Sequence, residues 1–110
     1  MRAILNIAAY RFVALADPQT WRERIAERAQ ADALKGTVLL APEGINLCLA
    51  GAEQGVRNFL AWLRAQQPFS ELAAKESWSD ALPFARLKVK VKAEIIRMNR
   101  PTIRPQTPSR

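Results

Sequence analysis

LLAPEGINLCLAG, residues 39–51, sets two apolar runs on either side of Pro42-Glu43-Gly44. TVLLA (37–41) has the length of a short strand, and INLCLAG (45–51) alternates, with Ile45, Leu47 and Leu49 on one side and Asn46, Cys48 and Ala50 on the other. Period-two alternation is the mark of a strand with one covered face. A connection this short can only reverse the chain, and Gly44 tolerates the positive φ that tight reversals often need. The stretch therefore predicts a β-hairpin, which commits the middle of the chain to adjacent antiparallel strands.

Helical periodicity flanks the hairpin on both sides. Trp21, Ile25 and Ala29 recur every four residues, with Arg22, Glu23, Arg24, Glu27 and Arg28 available to face water, so a helix is predicted from Gln19 to about Leu34. Asp17-Pro18 supplies a cap and a first-turn proline, and Gly36 stands where a helix end is expected. Val56, Phe59, Leu60 and Leu63 fall at i, i+3, i+4 and i+7, giving a second helix from about Glu53 to Gln66 before Pro68. Ahead of the first helix, NIAAYRFVAL (6–15) has Arg11 as its one interior charge and reads as a strand largely covered on both faces. After the second helix come a weaker strand, Ala73 to Trp78, and LKVKVKAEI (87–95), which alternates without a fault.

The order is β-α-β-β-α-β with an added C-terminal strand. It predicts an α+β fold, a ferredoxin-like (acylphosphatase-like) sandwich with two helices on one sheet face. Right-handed crossovers put the first strand in the middle of the sheet. Residues 1–98 are expected to form this domain. Residues 99–110, with Pro101, Pro105 and Pro108, are expected to be an extended Pro/Arg-rich linker.

Histidine is absent and Cys48 is the single cysteine. The commonest general base is thus missing, an internal disulfide is impossible, and a zinc site would have to rely on carboxylates. No catalytic residue, metal site or cofactor is predicted in this chain. No run has the roughly 18 apolar residues of a membrane helix, so no membrane partner is expected. The lone cysteine and the lack of a secretory signal point to the cytoplasm.

Charge is unevenly placed. Residues 86–110 carry eight basic side chains against Glu94 alone, whereas residues 1–85 carry nine of each sign. The C-terminal quarter therefore supplies the whole net charge of +7. An anionic partner is implied, and nucleic acid is the usual one. Lys88, Lys90 and Lys92, about 6.6 Å apart on one strand face, could track a phosphate backbone, and Arg97, Arg100 and Arg104 would extend them. The same lysines could equally protect a sheet edge from unwanted pairing, and the sequence leaves both readings open.

Other residues carry less. Gly51-x-x-x-Gly55 at a helix start lacks the Gly-Lys-Ser/Thr end of a P-loop, so its glycines read as structural. Glu43 and Asn46 flank Gly44 as an exposed-looking polar pair, more suited to bonding their own turn than a ligand. Cys48 reads as a small packed residue rather than a reactive thiol. Trp21, Trp62 and Trp78 read as core or core rim.

AYRFVALADPQTWRE, GTVLLAPEGINLCLAG and FARLKVKVKAEI, in that order, resemble the N-terminal domain of the rhodanese-domain tRNA uridine hydroxylases over about residues 6–98. In that resemblance Glu43, Gly44 and Asn46 belong to a signature turn. It implies a longer cytoplasmic protein that hydroxylates the wobble uridine of tRNA to 5-hydroxyuridine with oxygen. The catalytic cysteine would lie in a rhodanese-like domain that follows, and the partners would be tRNA and that domain. A purely structural docking module for the rhodanese-like domain is the main alternative. An acylphosphatase-like hydrolase is disfavoured, because the loop after the first strand reads ALADPQ, with neither the arginine nor the glycines of a phosphate cradle.

Overall fold

A computed structural model describes residues 3–92. The chain runs β1 (Ile4–Phe12), α1 (Pro18–Ala31), β2 (Lys35–Ala41), β3 (Gly44–Ala52), α2 (Glu53–Arg64), a 3-10 turn (Gln67–Phe69), β4 (Ala74–Ser79) and β5 (Leu87–Val91). The five strands lie in the order β4-β1-β3-β2-β5. β1 pairs antiparallel with both β3 and β4, β2 pairs antiparallel with β3, and β5 joins β2 in parallel. This is the expected ferredoxin-like sandwich, with β5 added beyond β2.

Alternation decides which strand residues meet the helices. Leu5, Ile7 and Ala9 of β1, Val38 and Leu40 of β2, Ile45, Leu47 and Leu49 of β3, and Val89 of β5 point to the helical side and are buried. Against them pack Ile25 and Ala29 of α1 and Val56, Phe59, Leu60 and Leu63 of α2. Burying a side chain of this size contributes about 1.5–3 kcal/mol, so this single layer carries most of the stability. The other sheet face has no helix. Accordingly β1 is covered on one face only: Ala8, Tyr10 and Phe12 are exposed, against the expectation of cover on both. Its apolar run misleads because alanine and aromatic residues on an open face count as hydrophobic.

Several ends fall elsewhere than expected. α1 starts as predicted, with the Asp17 carboxylate accepting from the Thr20 amide (3.3 Å) and hydroxyl (2.7 Å). Those two bonds hold the Asp17 carboxyl below its ordinary pKa, so the cap is present near neutrality and lost as the pH falls through that lowered value. The helix stops at Ala31 rather than near Leu34. Ala33 takes a left-handed φ of 59°, and the Leu34 amide returns to the Ala29 carbonyl at 2.9 Å. Ala33, not Gly36, therefore makes the exit turn, and Gly36 lies inside β2. After α2, Phe69 turns back into the core and meets Trp21 edge to face at 5.0 Å; the sequence reading gave it no role. Residues 93–95, expected to continue β5, lie outside the described residues, as does the proposed linker.

Arg22 was expected to face water. Instead its Nε donates to the Val89 carbonyl at 3.0 Å, which clamps α1 to β5. In β5 the backbone groups of the even residues face β2, as the Lys92 amide does in donating to the Leu40 carbonyl (2.7 Å). The Val89 carbonyl therefore points off the sheet edge, and the guanidinium satisfies it there. Arg22→Ala should lower unfolding stability by about 1.5 kcal/mol, the worth of a hydrogen bond to a charged donor. A denaturation midpoint equal to wild type would show that solvent replaces the clamp without loss.

Candidate nucleic-acid interface

The strand pairings order the open face into rows. One row reads Lys75, Ala8, Cys48, Thr37, Lys88 from β4 to β5. The next reads Tyr10, Asn46, Leu39, Lys90. Lys88 and Lys90 stand on this face because Val89 between them turns into the core, and both are exposed, as is Lys92 just past the strand. Arg97, Arg100 and Arg104 lie outside the described residues. Lys75 was not predicted as part of any site. Charge counting along the chain sets it in the neutral body, and only the β1–β4 register brings it into line with Lys88, four strand spacings or about 19 Å away. Neither row contains a carboxylate.

Residues 80–86 carry the chain from the β4 edge to the β5 edge, and Pro83 and Phe84 border the open face. Between them and the sheet is a cavity of about 470 Å³, lined by Asn6, Ala8, Cys48, Lys75, Ser77 and Phe84 among others. Burial pushes the Cys48 thiol above its ordinary pKa, so it is protonated near neutral pH and a weak nucleophile. The Asn6 side-chain amide donates to Ser79 Oγ at 3.0 Å, while its buried Oδ1 has no hydrogen-bond partner.

At the far end of the face lies the Pro42-Glu43-Gly44 turn. Gly44 has φ +155°, and a Cβ there would run into the Arg11 carbonyl. The turn also holds the next loop: the Val13 amide donates to the Glu43 carbonyl and the Leu15 amide to the Pro42 carbonyl, both at 2.9 Å. These bonds commit two amides of the loop after β1, which leaves that loop poorly suited to cradle an anion. Asn46 is only 5% exposed, so the exposed polar pair expected with Glu43 does not form. It sits on the central strand β3, between Tyr10 and Leu39 in register.

The remaining candidates are structural. A Cβ at Gly51 would meet the Leu34 side chain, and one at Gly55 would meet the Asp32 carbonyl at 2.5 Å. Gly51 in β3 thus makes room for Leu34, and Gly55 lets α2 approach the end of α1, rather than admitting a phosphate. Trp21 and Trp62 sit at the rim between the helices, with the Arg24 guanidinium 4.4 Å and 5.8 Å from their ring centres.

Residues 4–95 match the model of the UPF0176 acylphosphatase like domain. The chain belongs to this family. Among its curated relatives is the tRNA uridine(34) hydroxylase of Delftia acidovorans, 59% identical over 105 residues that make up 96% of this chain and 40% of the relative. The protein of the same name from Variovorax paradoxus is 60% identical over the same shares. The UPF0176 chain thus spans about two fifths of the length of these relatives. Among solved structures, the BLUF domain of BlrP1 superposes with a TM-score of 0.67 at 10% identity, covering 83% of this chain and 65% of that one. That likeness concerns the fold alone. Among the described residues, no helix is long and apolar enough to cross a membrane.

Gly44→Val should cost about 3 kcal/mol or more, because a β-branched residue at this φ must also displace the Arg11 backbone. Chemical denaturation checks it, and an unchanged midpoint would mean the turn relaxes without penalty.

Proposed function

We propose that this UPF0176 domain is the N-terminal module of a cytoplasmic tRNA uridine hydroxylase and that it helps hold tRNA through Lys88, Lys90 and Lys92. The observation that carries the reading is the 59–60% identity, over 96% of the chain, to proteins named tRNA uridine(34) hydroxylase. The lysines add a physical reason: Lys88 and Lys90 project together from the helix-free face, with Lys75 at the opposite edge of the Lys88 row and no acidic side chain in their rows. Arg97, Arg100 and Arg104 are proposed to extend this basic surface toward a rhodanese-like domain, which would supply the catalytic cysteine. Residues 99–110 are proposed as the linker between the two.

Contacts to phosphate act through charge and counterion release, so they should be salt-sensitive and nearly blind to sequence. Changing Lys88, Lys90 and Lys92 to glutamine should weaken tRNA binding. It should also flatten the salt slope by up to about 0.9 per lost contact on duplex and 0.7 on single strands. The fold should persist, because Leu87 and Val89 keep the inner face of β5. Affinity and slope equal to wild type would leave edge protection as the purpose of the lysines.

The chemistry is assigned elsewhere in the protein. The chain alone, incubated with tRNA, oxygen and a reductant, should form no 5-hydroxyuridine detectable by mass spectrometry. Product above background would place catalysis in this domain.

A further inference from the structure

Nearly every described arginine commits its guanidinium to the fold, bonding a carboxylate, the Gln66 amide or a backbone carbonyl. Among the described residues, Arg86 is the exception. Its backbone is nonetheless anchored at the sheet edge, where the Gly36 amide donates to the Arg86 carbonyl at 2.8 Å. Arg86 lines a cavity of about 350 Å³ together with Thr37, Lys88 and Phe84. Phe84 and Pro83 also wall the cavity of about 470 Å³ described above, which Ala8 and Cys48 line from the sheet. The two cavities are therefore consecutive along one row of the open face: Ala8 and Cys48 belong to the first, Thr37 and Lys88 to the second.

The two halves differ in chemistry. Small side chains below and Phe84 beside them make the first a seat for a flat ring. The second presents a guanidinium fork, an ammonium and a hydroxyl, a set that suits phosphate. Glu76 borders the first cavity, but Arg57 of α2 holds its carboxylate at 3.3 Å, and no carboxylate lines the second. Cys48 and Lys88 stand two strand spacings apart, about 10 Å. The long Lys88 and Arg86 side chains shorten that span toward the separation of base and phosphate within one nucleotide.

We propose that the row beside Pro83 and Phe84 is a nucleotide site: an unpaired base enters the first cavity while Arg86, Lys88 and Thr37 hold its phosphate. This deepens the proposed tRNA contact and rests on it, adding a seat for one nucleotide to a charged surface that alone accepts any phosphate backbone. A paired base cannot enter, because its faces are buried in the duplex stack. A free nucleotide offers the same chemistry as an unpaired one in RNA, and the test separates these sources.

This chain is titrated with a 12-nucleotide single-stranded RNA and with the same sequence annealed to its complement, each at several salt concentrations. Adenosine monophosphate and ribose phosphate serve as a free nucleotide and its base-free counterpart. Arg86→Lys should weaken single-strand binding about tenfold, because it keeps the charge and loses the fork. Cys48→Leu, which fills the first cavity from the sheet, and Phe84→Ala, which removes its wall, should each do the same. Duplex binding should change less than about twofold in all three, and the salt slope should be unaltered, because no charge is lost. Phe84 lies outside the core, so Phe84→Ala should keep the wild-type circular dichroism. Single-strand affinity equal to wild type in Arg86→Lys, or in both cavity variants, would overturn the site. So would equal losses on both RNAs. If the lysine-to-glutamine variant still flattens the salt slope in that case, the tRNA contact stands without a nucleotide seat. If the chain binds neither RNA yet prefers adenosine monophosphate to ribose phosphate, the site takes a free nucleotide and the tRNA reading falls. If it binds none of the four, both fall.

Discussion

The nine-residue pairing of β1 with β3, from Ile4 opposite Ala52 to Phe12 opposite Gly44, is the constraint on which the rest depends. It brings together strands separated by a helix and a hairpin, and it can run to its end only because residue 44 lacks a side chain. With that pairing fixed, the two helices fall on one side and share a core. The opposite side carries no helix, and its character is set by even-numbered residues of β1, β3 and β5 and odd-numbered ones of β2 and β4.

That division separates stability from recognition. Most side chains that hold the domain together lie on the helical side, although Leu39, Ala41 and Ala50 are buried on the other, and the lysines proposed to meet tRNA stand on that other side. Lys88 and Lys90 can therefore change with little cost to folding, while Leu47 or Phe59 cannot. Arginine works mainly on the structural side. Arg22 reaches a strand carbonyl, Arg64 bonds the Leu72 carbonyl at 2.9 Å, and Arg57 joins Glu53 to Glu76. A guanidinium presents several donors in a fixed fork, which suits bridging between elements better than an ammonium does.

Element identity was most legible where a segment has an unambiguous period: the alternation of 45–51 and 87–91 and the i, i+3, i+4 pattern of 56–63; β4 showed only a weak pattern. The hairpin, the Asp17 cap and the interior place of β1 followed from local chemistry and handedness, although the middle strand is β3. What could not be seen depends on which strands become neighbours. Lys75 joins Lys88 only through register. Arg22 bonds β5 across 67 positions. The left-handed turn at Ala33 escaped because the local pattern favoured the nearby glycine, and Phe69 escaped because a single aromatic after a proline has no period at all.

The passage of residues 80–86 from one edge of the sheet to the other ties together strands that share no hydrogen bond. β4 and β5 are the outermost strands and would ordinarily fray independently. Here a short tether joins their ends across the width of the sheet, with Pro83 and Phe84 resting beside the open face. Release of either edge strand slackens the tether and loosens the grip on the other. The two margins should therefore open as one cooperative unit, with correlated amide exchange in β4 and β5 although three strands lie between them.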